Sequence, residues 1–596
     1  MENVEIARVL SELADLLEIR GANPFRVRAY RNAVRTVRGL TRSLSTMVQE
    51  GEDLTDLPGI GKDMAGHIQE LSTTGSLELL EEVCREVPRS LATLVKLEGV
   101  GPKKASKLWK ELDVTNLDDL EAALQAGRVQ ELEGFGAKSA AKILRSIREV
   151  RQRQGRFLRY EAEQYLRPLL EYLRSTSGVE RIEVAGSYRR GKETVGDADL
   201  LAQVDGGEEE QAAVIRHFTS FPGVDRVVMS GGTRASIMLG SGFGVDLRVL
   251  PARSYGAALH YFTGSKEHNV EIRKLALRKG LRVSEYGVFR VSEEGREGGE
   301  AAEGGPEAGE RLGGEAEEEV FAAVDLPWIP PVLREARGEI EAAREGTLPR
   351  LVTREDIRGD LHMHSTWSDG KNSILEMAEA CRDLGYEYMA ITDHSEAVRV
   401  ANGLTPERVR AQWKEIEEVR EAVAGIHVLR GLEVDILRDG TLDLPDEVLE
   451  GLDIVLVAVH SSMGLEQAEM TRRVIRAIRH PAVDVLVHPT GRLLNRREPY
   501  AIDMDAVLES AAEAGVAVEM NANPHRLDLN DVHLLRAREL GLRVSIATDS
   551  HRPAHLDFME GGLLQAQRGW VEKERTLNAL SLESLQEWLA RPRNGR

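Results

Sequence analysis

The sequence predicts a multidomain chain: α-helical helix-hairpin-helix segments first, a mixed α/β section in the middle, and a distorted (β/α)7 barrel towards the C-terminus. Three observations predict it. A Leu-x-Gly-x-Gly template occurs three times in the first quarter, an Asp-x-Asp strand pattern follows, and beyond Ile357 seven short apolar strands alternate with amphipathic helices. At 596 residues the chain is too long for one core, because domains run to about 150 residues. No run of about 18 apolar residues is present to span a bilayer. The start, Met1-Glu-Asn-Val-Glu5, has neither a basic nor an apolar signal region, so a cytoplasmic protein with no membrane partner is expected. Its two cysteines, Cys84 and Cys381, exclude a disulfide framework and any multi-cysteine zinc site.

The three templates are Leu57-Pro-Gly59-Ile-Gly61, Leu97-Glu-Gly99-Val-Gly101 and Leu132-Glu-Gly134-Phe-Gly136. An alanine falls eight residues after each leucine (Ala65, Ala105, Ala140) and an apolar residue eleven after it (Ile68, Leu108, Ile143). Such glycines permit a tight turn with backbone N–H groups exposed at a helix N-terminus, which suits a phosphate oxygen. One such turn is a plain helix-helix connection; three in register beside arginines indicate sequence-independent binding of DNA backbone. The net charge of −21 conceals this. Residues 1–291 hold 43 Lys and Arg against 41 Asp and Glu, leaving 35 against 58 for the remainder. Between Ile19 and Gln49 lie Arg20, Arg26, Arg28, Arg31, Arg35, Arg38 and Arg42 with no acid, and a second cluster runs from Arg145 to Arg159.

The middle section carries "VAGSYRRGKETVGDADLLA" (184–202). A small turn at Gly186-Ser187 leads to Arg189-Arg190 and then Asp197 and Asp199. On a strand, residues i and i+2 share a face, so both carboxylates can serve one metal pair. Asp246, in an apolar strand, supplies a third acid. Two-metal phosphoryl transfer needs such anionic ligands, since two dications lie about 4 Å apart. Composition then breaks: residues 292–319 contain eight glycines, eleven acids and two arginines. They cannot bury enough surface to offset their ordering entropy, and a flexible acidic loop separating two modules is expected.

In the last part, strands are expected at 358–361, 388–391, 426–429, 454–459, 483–487, 516–518 and 544–547. Most end in a candidate ligand. These are His362 and His364, His394, Glu433, His460, His488, then Asp549 and His551, with Asp369 in the first strand-to-helix loop. Eleven of the fifteen histidines lie after residue 361. Nine ligands exceed what one ion can use, so two to three divalent ions are implied. Carboxylate and imidazole without thiolate suit Mn²⁺, Zn²⁺ or Fe²⁺. Such a site, at the C-terminal rim of a barrel, suits phosphoester hydrolysis. His427, His480, His525, His533 and His555 are set aside as surface or supporting residues.

Ser187-Tyr-Arg-Arg-Gly191 with Asp197 and Asp199, continued by "YFTGSKEHNVEIRKLALRKGLRVSEYGVF" (261–289), resembles the family X DNA polymerases, typified by DNA polymerase beta. The resemblance covers roughly residues 5 to 335. It implies an N-terminal domain over 1–85, fingers over 86–156, a nucleotidyltransferase palm over 157–260 and a thumb over 261–335. Asp197, Asp199 and Asp246 would hold two Mg²⁺ or Mn²⁺ ions, with Asp246 helping to activate the primer 3′-hydroxyl. Ser187, Arg190, Gly196 and Gly264 would bind the nucleotide, Ser187 and Arg190 at its triphosphate. Tyr261 and Phe262 would line the sugar, Asn269 would touch the base edge, and Arg273 the template strand. In the family's lyase-active members a Schiff-base lysine sits in the second helix of the first hairpin. The matching residue here is His67, and an imidazole cannot form that imine; Lys62 is expected in the turn.

After a linker at 336–352, residues 353–575 resemble the PHP (polymerase and histidinol phosphatase) family, with all nine metal positions filled. Together these imply a monomeric repair polymerase acting on gapped or nicked DNA and deoxynucleoside triphosphates, with a 3′–5′ exonuclease. Two other readings are a DNA-end scaffold with a vestigial polymerase and a small-molecule nucleotidyltransferase fused to a phosphatase. Intact aspartates and ligands count against the first, and the hairpin repeat against the second.

Overall fold

The computed structural model describes residues 3–38, 40, 44–49, 51–95, 97, 99–132, 134–136, 139–140, 142–144, 146–147, 156–291 and 309–590. Arg42, Arg145, Arg148, Arg151, Arg153 and residues 292–308 of the acidic segment lie outside these. The chain forms two compact units, residues 1–156 with 164–167, and residues 157–163 with 168–596.

Among its described residues the first unit's regular structure is all helix, held by one core. In the helix Asn3–Arg20, Ile6, Leu10, Leu13 and Leu17 recur at helical spacing and are fully buried. The three hairpin turns share one set of backbone bonds. Ile60, Val100 and Phe135 donate to the carbonyls of Leu57, Leu97 and Leu132 at 3.1, 3.0 and 3.0 Å. Ala65, Ala105 and Ala140 donate to Gly61, Gly101 and Gly136, each at 2.9 Å. The sequence repeat is therefore the first turn of three helices. Gly59, Gly99 and Gly134 have φ of 76°, 87° and 89°, which requires glycine. Lys62 is not in the turn but opens the helix Lys62–Thr74.

In the second unit, strands β1 (Phe157–Leu158) and β3 (Thr194–Val195) pair with each other. The palm is a five-stranded sheet of β2 (Val179–Val184), β4 (Asp197–Val204), β5 (Val224–Ser230), β6 (Arg234–Leu239) and β7 (Gly244–Leu250), in the order β2-β4-β7-β6-β5. Only the central β4-β7 pair is parallel. The thumb has helices Ala252–Thr263 and Lys266–Arg278 and a three-stranded antiparallel sheet. Its strands are β8 (Leu281–Ser284), β9 (Gly287–Arg290) and β10 (Glu310–Gly313).

β10 and the helix Glu317–Ala323 correct the expected loop over 292–319 for the residues from Glu310 onward. Of the acids described there, Glu317 is buried and Glu319 caps backbone, while Glu310, Glu315 and Glu318 are exposed. Glu319 accepts from the N–H groups of Gly314 and Glu315 at 2.7 and 3.0 Å. Glu317 is buried between Arg189 and Arg334, at 2.8 and 2.5 Å. The supposed linker at 336–352 is also ordered. It carries the helix Glu339–Glu345, whose Ile340 and Ala343 pack in the thumb core and whose buried Glu339 meets His268 Nδ1 at 2.6 Å.

The barrel has seven parallel strands in sequence order: β11 (Gly359–Met363), β12 (Tyr388–Ile391), β13 (His427–Asp435), β14 (Ile454–Ala458), β15 (Val485–Leu486), β16 (Ala517–Asn521) and β17 (Val544–Ala547). A bridge between Met363 and Ser550 joins the first strand to the end of the last. The domain extends beyond the expected end at 575. Leu577, Leu585 and Trp588 join Leu361, Tyr388, Leu429 and Leu456 in one core, and the Tyr388 hydroxyl donates to the Leu580 carbonyl at 2.9 Å. Thumb and barrel share a core as well: Trp570 and Leu564 pack with Ile272, Val320, Ile329 and Ile340. The expectation of two modules separated by a flexible loop is thereby corrected.

Candidate active sites

In the palm, the register sets Asp199 directly opposite Asp246, with Asp197 opposite Gly244. Asp197 and Asp199 alternate with the buried Ala198 and Leu200 on β4, so the same period that buries the strand aims both acids outward. Burial pushes the Asp199 carboxyl up to about 6, aided by Asp197 and Asp246. Three acids competing in this way suit divalent cations. Gly186 has φ of 63°, and a Cβ there would lie 2.8 Å from the Asp199 Oδ2. The turn before Ser187 can thus approach the catalytic strand only as glycine. Arg234 reaches Asp246 Oδ2 at 3.2 Å.

The other palm and thumb residues are placed as follows. The Arg190 guanidinium is internally engaged, with Nε on Glu335 Oε1 at 2.9 Å and Nη1 on the Thr263 carbonyl at 2.7 Å. Ser187 lies in the short helix Gly186–Arg189, partly exposed, and Gly196 immediately precedes β4. Tyr261 and Phe262 meet edge to face at 5.0 Å, and Arg248 stacks on Phe262 at 4.4 Å. Asn269 donates its amide to the carbonyls of Tyr261 and Gly264 at 2.7 and 3.3 Å, so it braces the Tyr-Phe-Thr-Gly loop. Arg273 is exposed, its Nε on the Asn269 carbonyl at 3.2 Å. In the first unit, His67 Nδ1 lies 3.1 Å from the Tyr30 hydroxyl, and burial lowers its pKa.

The barrel brings all nine expected ligands together. They form four overlapping groups whose ligand atoms lie within 4.8 Å of one another. These are His364, Asp369, His394 and His551; His362, His364 and Asp549; His362, Glu433 and His488; and His394, Glu433 and His460. Glu433 lies within the longer strand β13 rather than past its end. His394 Nδ1 is 2.8 Å from Glu433 Oε2, yet neither atom makes a hydrogen bond among the described residues. His362 Nε2, His460 Nε2 and both nitrogens of His364 are likewise buried without one. Orphaned acceptors converging on common points are the donor set that cations require.

Electrostatics agree. Burial, then His551 and His394, pushes His364 down to about 3. Against burial, Glu433 and Asp435 lift His460 to about 9, and Asp369 and Asp549 lift His551 to about 9. Two ligands, His488 and Asp549, have φ of 29° and 53°, a strain that surrounding structure must enforce.

Sequence reading missed the residues that orient these ligands. Glu519, fully buried in β16, receives His362 Nδ1 at 2.6 Å and the His488 N–H at 2.7 Å. Asp435 accepts the His460 N–H at 2.9 Å. Asp393 binds Ser365 Oγ at 2.6 Å and Gln412 at 2.6 Å, fixing the loop that carries Asp369. The signal was available: a lone acid inside an apolar strand, as in "AVEMN" (517–521), has no other reason to be there.

Comparison with known proteins agrees with both sites. Residues 1–77 match a helix-hairpin-helix domain family, 91–149 a SAM-like helix-hairpin-helix tandem, 258–335 the DNA polymerase beta thumb and 360–523 the PHP domain. The chain is 40% identical over 593 residues to the DNA polymerase/3′-5′ exonuclease PolX of Bacillus subtilis (strain 168), spanning 99% of this chain and 100% of that one. The chain belongs to the family X DNA polymerases. It is also 30% identical over 305 residues to DNA polymerase lambda of Arabidopsis thaliana, covering 48% of this chain and 54% of that one. A probable phosphatase of Thermoanaerobacter sp. (strain X514) is 28% identical over 233 residues, 37% of this chain and 89% of that one. As a family X polymerase with a PHP domain, the chain carries its two clusters of candidate ligands in separate folds. No described helix is long and apolar enough to cross a membrane.

Proposed function

We propose that this chain is a DNA-directed DNA polymerase that fills short gaps during base-excision repair and hydrolyses 3′ DNA ends in its barrel, working as a monomer. The observation that carries the reading is the pairing of Asp199 with Asp246 across β4 and β7 in a chain that also gathers nine barrel ligands. Asp197, Asp199 and Asp246 would hold two Mg²⁺ or Mn²⁺ ions. His362, His364, Asp369, His394, Glu433, His460, His488, Asp549 and His551 would hold two to three ions of Mn²⁺, Zn²⁺ or Fe²⁺. Such ions supply Lewis-acid activation of the attacking oxygen and neutralise charge on the phosphate.

The protein's own groups do the rest. The N–H groups beside Gly61, Gly101 and Gly136 offer sequence-independent phosphate contacts; a Cβ at any of the three would meet no atom within 4 Å, so the chain leaves that space open. Ser187 and Arg190 are assigned to the triphosphate, Tyr261 and Phe262 to the sugar, Asn269 to the base edge and Arg273 to the template. Glu519 and Asp435, at 2.6 and 3.3 Å from the Nδ1 atoms of His362 and His460, hold both rings in the orientation that presents Nε2.

Primer extension on gapped duplex DNA tests the polymerase assignment. Asp197→Ala and Asp199→Ala should each abolish incorporation while leaving DNA binding near wild type, because binding rests on hairpins and arginines. Near wild-type extension by either variant with Mg²⁺ would show that the palm site is misassigned.

A further inference from the structure

The barrel grips the palm at one turn, and that turn carries the triphosphate-binding arginine. Residues 190–193 link the short helix Gly186–Arg189 to the strands that present Asp197 and Asp199. Gly191 has φ of 70°, and its Cβ position would sit 3.4 Å from Leu564 and 3.6 Å from the Arg568 side chain. Both belong to the barrel helix Met559–Arg568. Arg492, four residues after the ligand His488, forms a two-point pair with Glu193 at 2.7 and 3.3 Å.

At the centre lies Glu335. Its Oε1 accepts from Arg190 Nε and from Arg568 Nη1, both at 2.9 Å. The same Nη1 also donates to the Arg190 carbonyl at 2.6 Å, while Nη2 is anchored on Asp531. The side chains of Arg568, Glu335 and Arg190 are only 2%, 8% and 12% exposed, so solvent does not screen the contest between them. Lys192, at 3.8 Å from Glu335, is a distant third partner. Although burial raises the Glu335 carboxyl, Arg190 and Arg568 hold it below its usual range, so it stays an anion.

Two guanidinium groups on one carboxylate oxygen divide its attraction. With Arg568 in place, Arg190 has the Thr263 carbonyl and only a shared carboxylate, and a triphosphate can draw it away. Without Arg568, Glu335 would close on Arg190 alone as a buried charge-assisted pair.

We propose that Arg568 of the barrel is a positioning residue for nucleotide binding in the palm: sharing Glu335 with Arg190, it keeps Arg190 available to the incoming triphosphate. The proposal rests on the reading of Arg190 as a triphosphate contact.

The test is single-nucleotide insertion by the full chain on a one-nucleotide gap, with dTTP varied, comparing four variants. Arg190→Gln should raise KM for dTTP; an unchanged KM would sink the triphosphate assignment itself. Glu335→Gln, nearly isosteric, should lower KM several-fold with kcat almost unchanged, because only the hold on the free arginine is relieved. Arg568→Gln should raise KM by about tenfold, as loss of one charge-assisted hydrogen bond does. Its affinity for gapped DNA and its 3′-end hydrolysis should stay at wild-type levels. The double variant Arg568→Gln/Glu335→Gln should return KM to the Glu335→Gln value. If KM rises in Arg190→Gln but stays at wild type in Glu335→Gln, the shared-carboxylate proposal is overturned, and that arm decides even if Arg568→Gln fails to fold. A raised KM that persists in the double variant overturns it too, since Arg568 would then act by packing on Gly191.

Discussion

Gly186 combines two demands that no other residue meets, a φ of 63° and a carboxylate oxygen 2.8 Å from the position of a Cβ. Gly186→Ala must therefore push Asp199 out of line with Asp246 or distort the turn before Ser187. Single-nucleotide insertion should fall roughly 100-fold, the cost of an ångström-scale misplacement of a reacting group, while gapped-DNA affinity holds. Insertion within a few-fold of wild type would mean that the turn does not position Asp199. Residues of this kind were partly legible. The gathering of the nine candidate barrel ligands could be read because histidines at strand ends repeat with the fold's own period. Glu519 escaped because it lies in the middle of β16, and Asp435, the last residue of β13, because that strand runs on past its expected end at 429. Arg190 was readable as a cationic side chain beside the palm acids, but its partner Glu335 lies 145 residues away, and no local pattern encodes that distance.

The thumb shows how an element can hide in composition. Residues 310–319 and 336–345 look in sequence like part of an acidic loop and a linker, yet they supply a strand, the buried Glu317 between two arginines, and Ile340 and Ala343 of the thumb core. Acid-rich sequence is read as solvated unless its cationic partners are known, and Arg189 precedes Glu317 by 128 residues. The same element makes a pH prediction. His260 is 2% exposed, neither ring nitrogen has a hydrogen-bond partner among the described residues, and burial, then Arg334 and His268, holds its pKa well below 6.5. The unfolded chain takes up a proton near pH 6.5 that the folded thumb refuses, so stability must fall as pH drops below 6.5. The slope is at most about 1.4 kcal/mol per pH unit for one proton. Glu317, held down to about 2 by Arg189 and Arg334 against its burial, adds a second loss that sets in only below its unfolded value of 4.5. Urea midpoints between pH 6.5 and 5 should therefore decline less steeply in His260→Leu than in wild type. Parallel declines would place the acid sensitivity elsewhere.

At the scale of the whole molecule, the class and order of the domains were legible, because hairpin repeat, palm strand and barrel each have a distinct period. Their boundaries were not, because cores shared across domains leave no compositional mark: Trp570 and Leu564 of the barrel complete the thumb, and the helix Leu582–Ala590 completes the barrel. On this reading one chain holds two catalytic centres with separate ligand sets. No barrel ligand is a palm ligand, and the contacts of Arg568 and Arg492 that hold the palm turn do not involve His362 or His364. Removing both imidazoles in His362→Ala/His364→Ala should therefore empty part of the barrel cluster and leave the palm intact. The direct measurement is extension and 3′–5′ degradation on one gapped substrate, by one preparation of this variant, with a melting curve to establish folding. Degradation should fall by at least about 100-fold, with extension within a few-fold of wild type. A folded variant that degrades DNA as well as wild type, or that loses extension together with degradation, would contradict two separate centres.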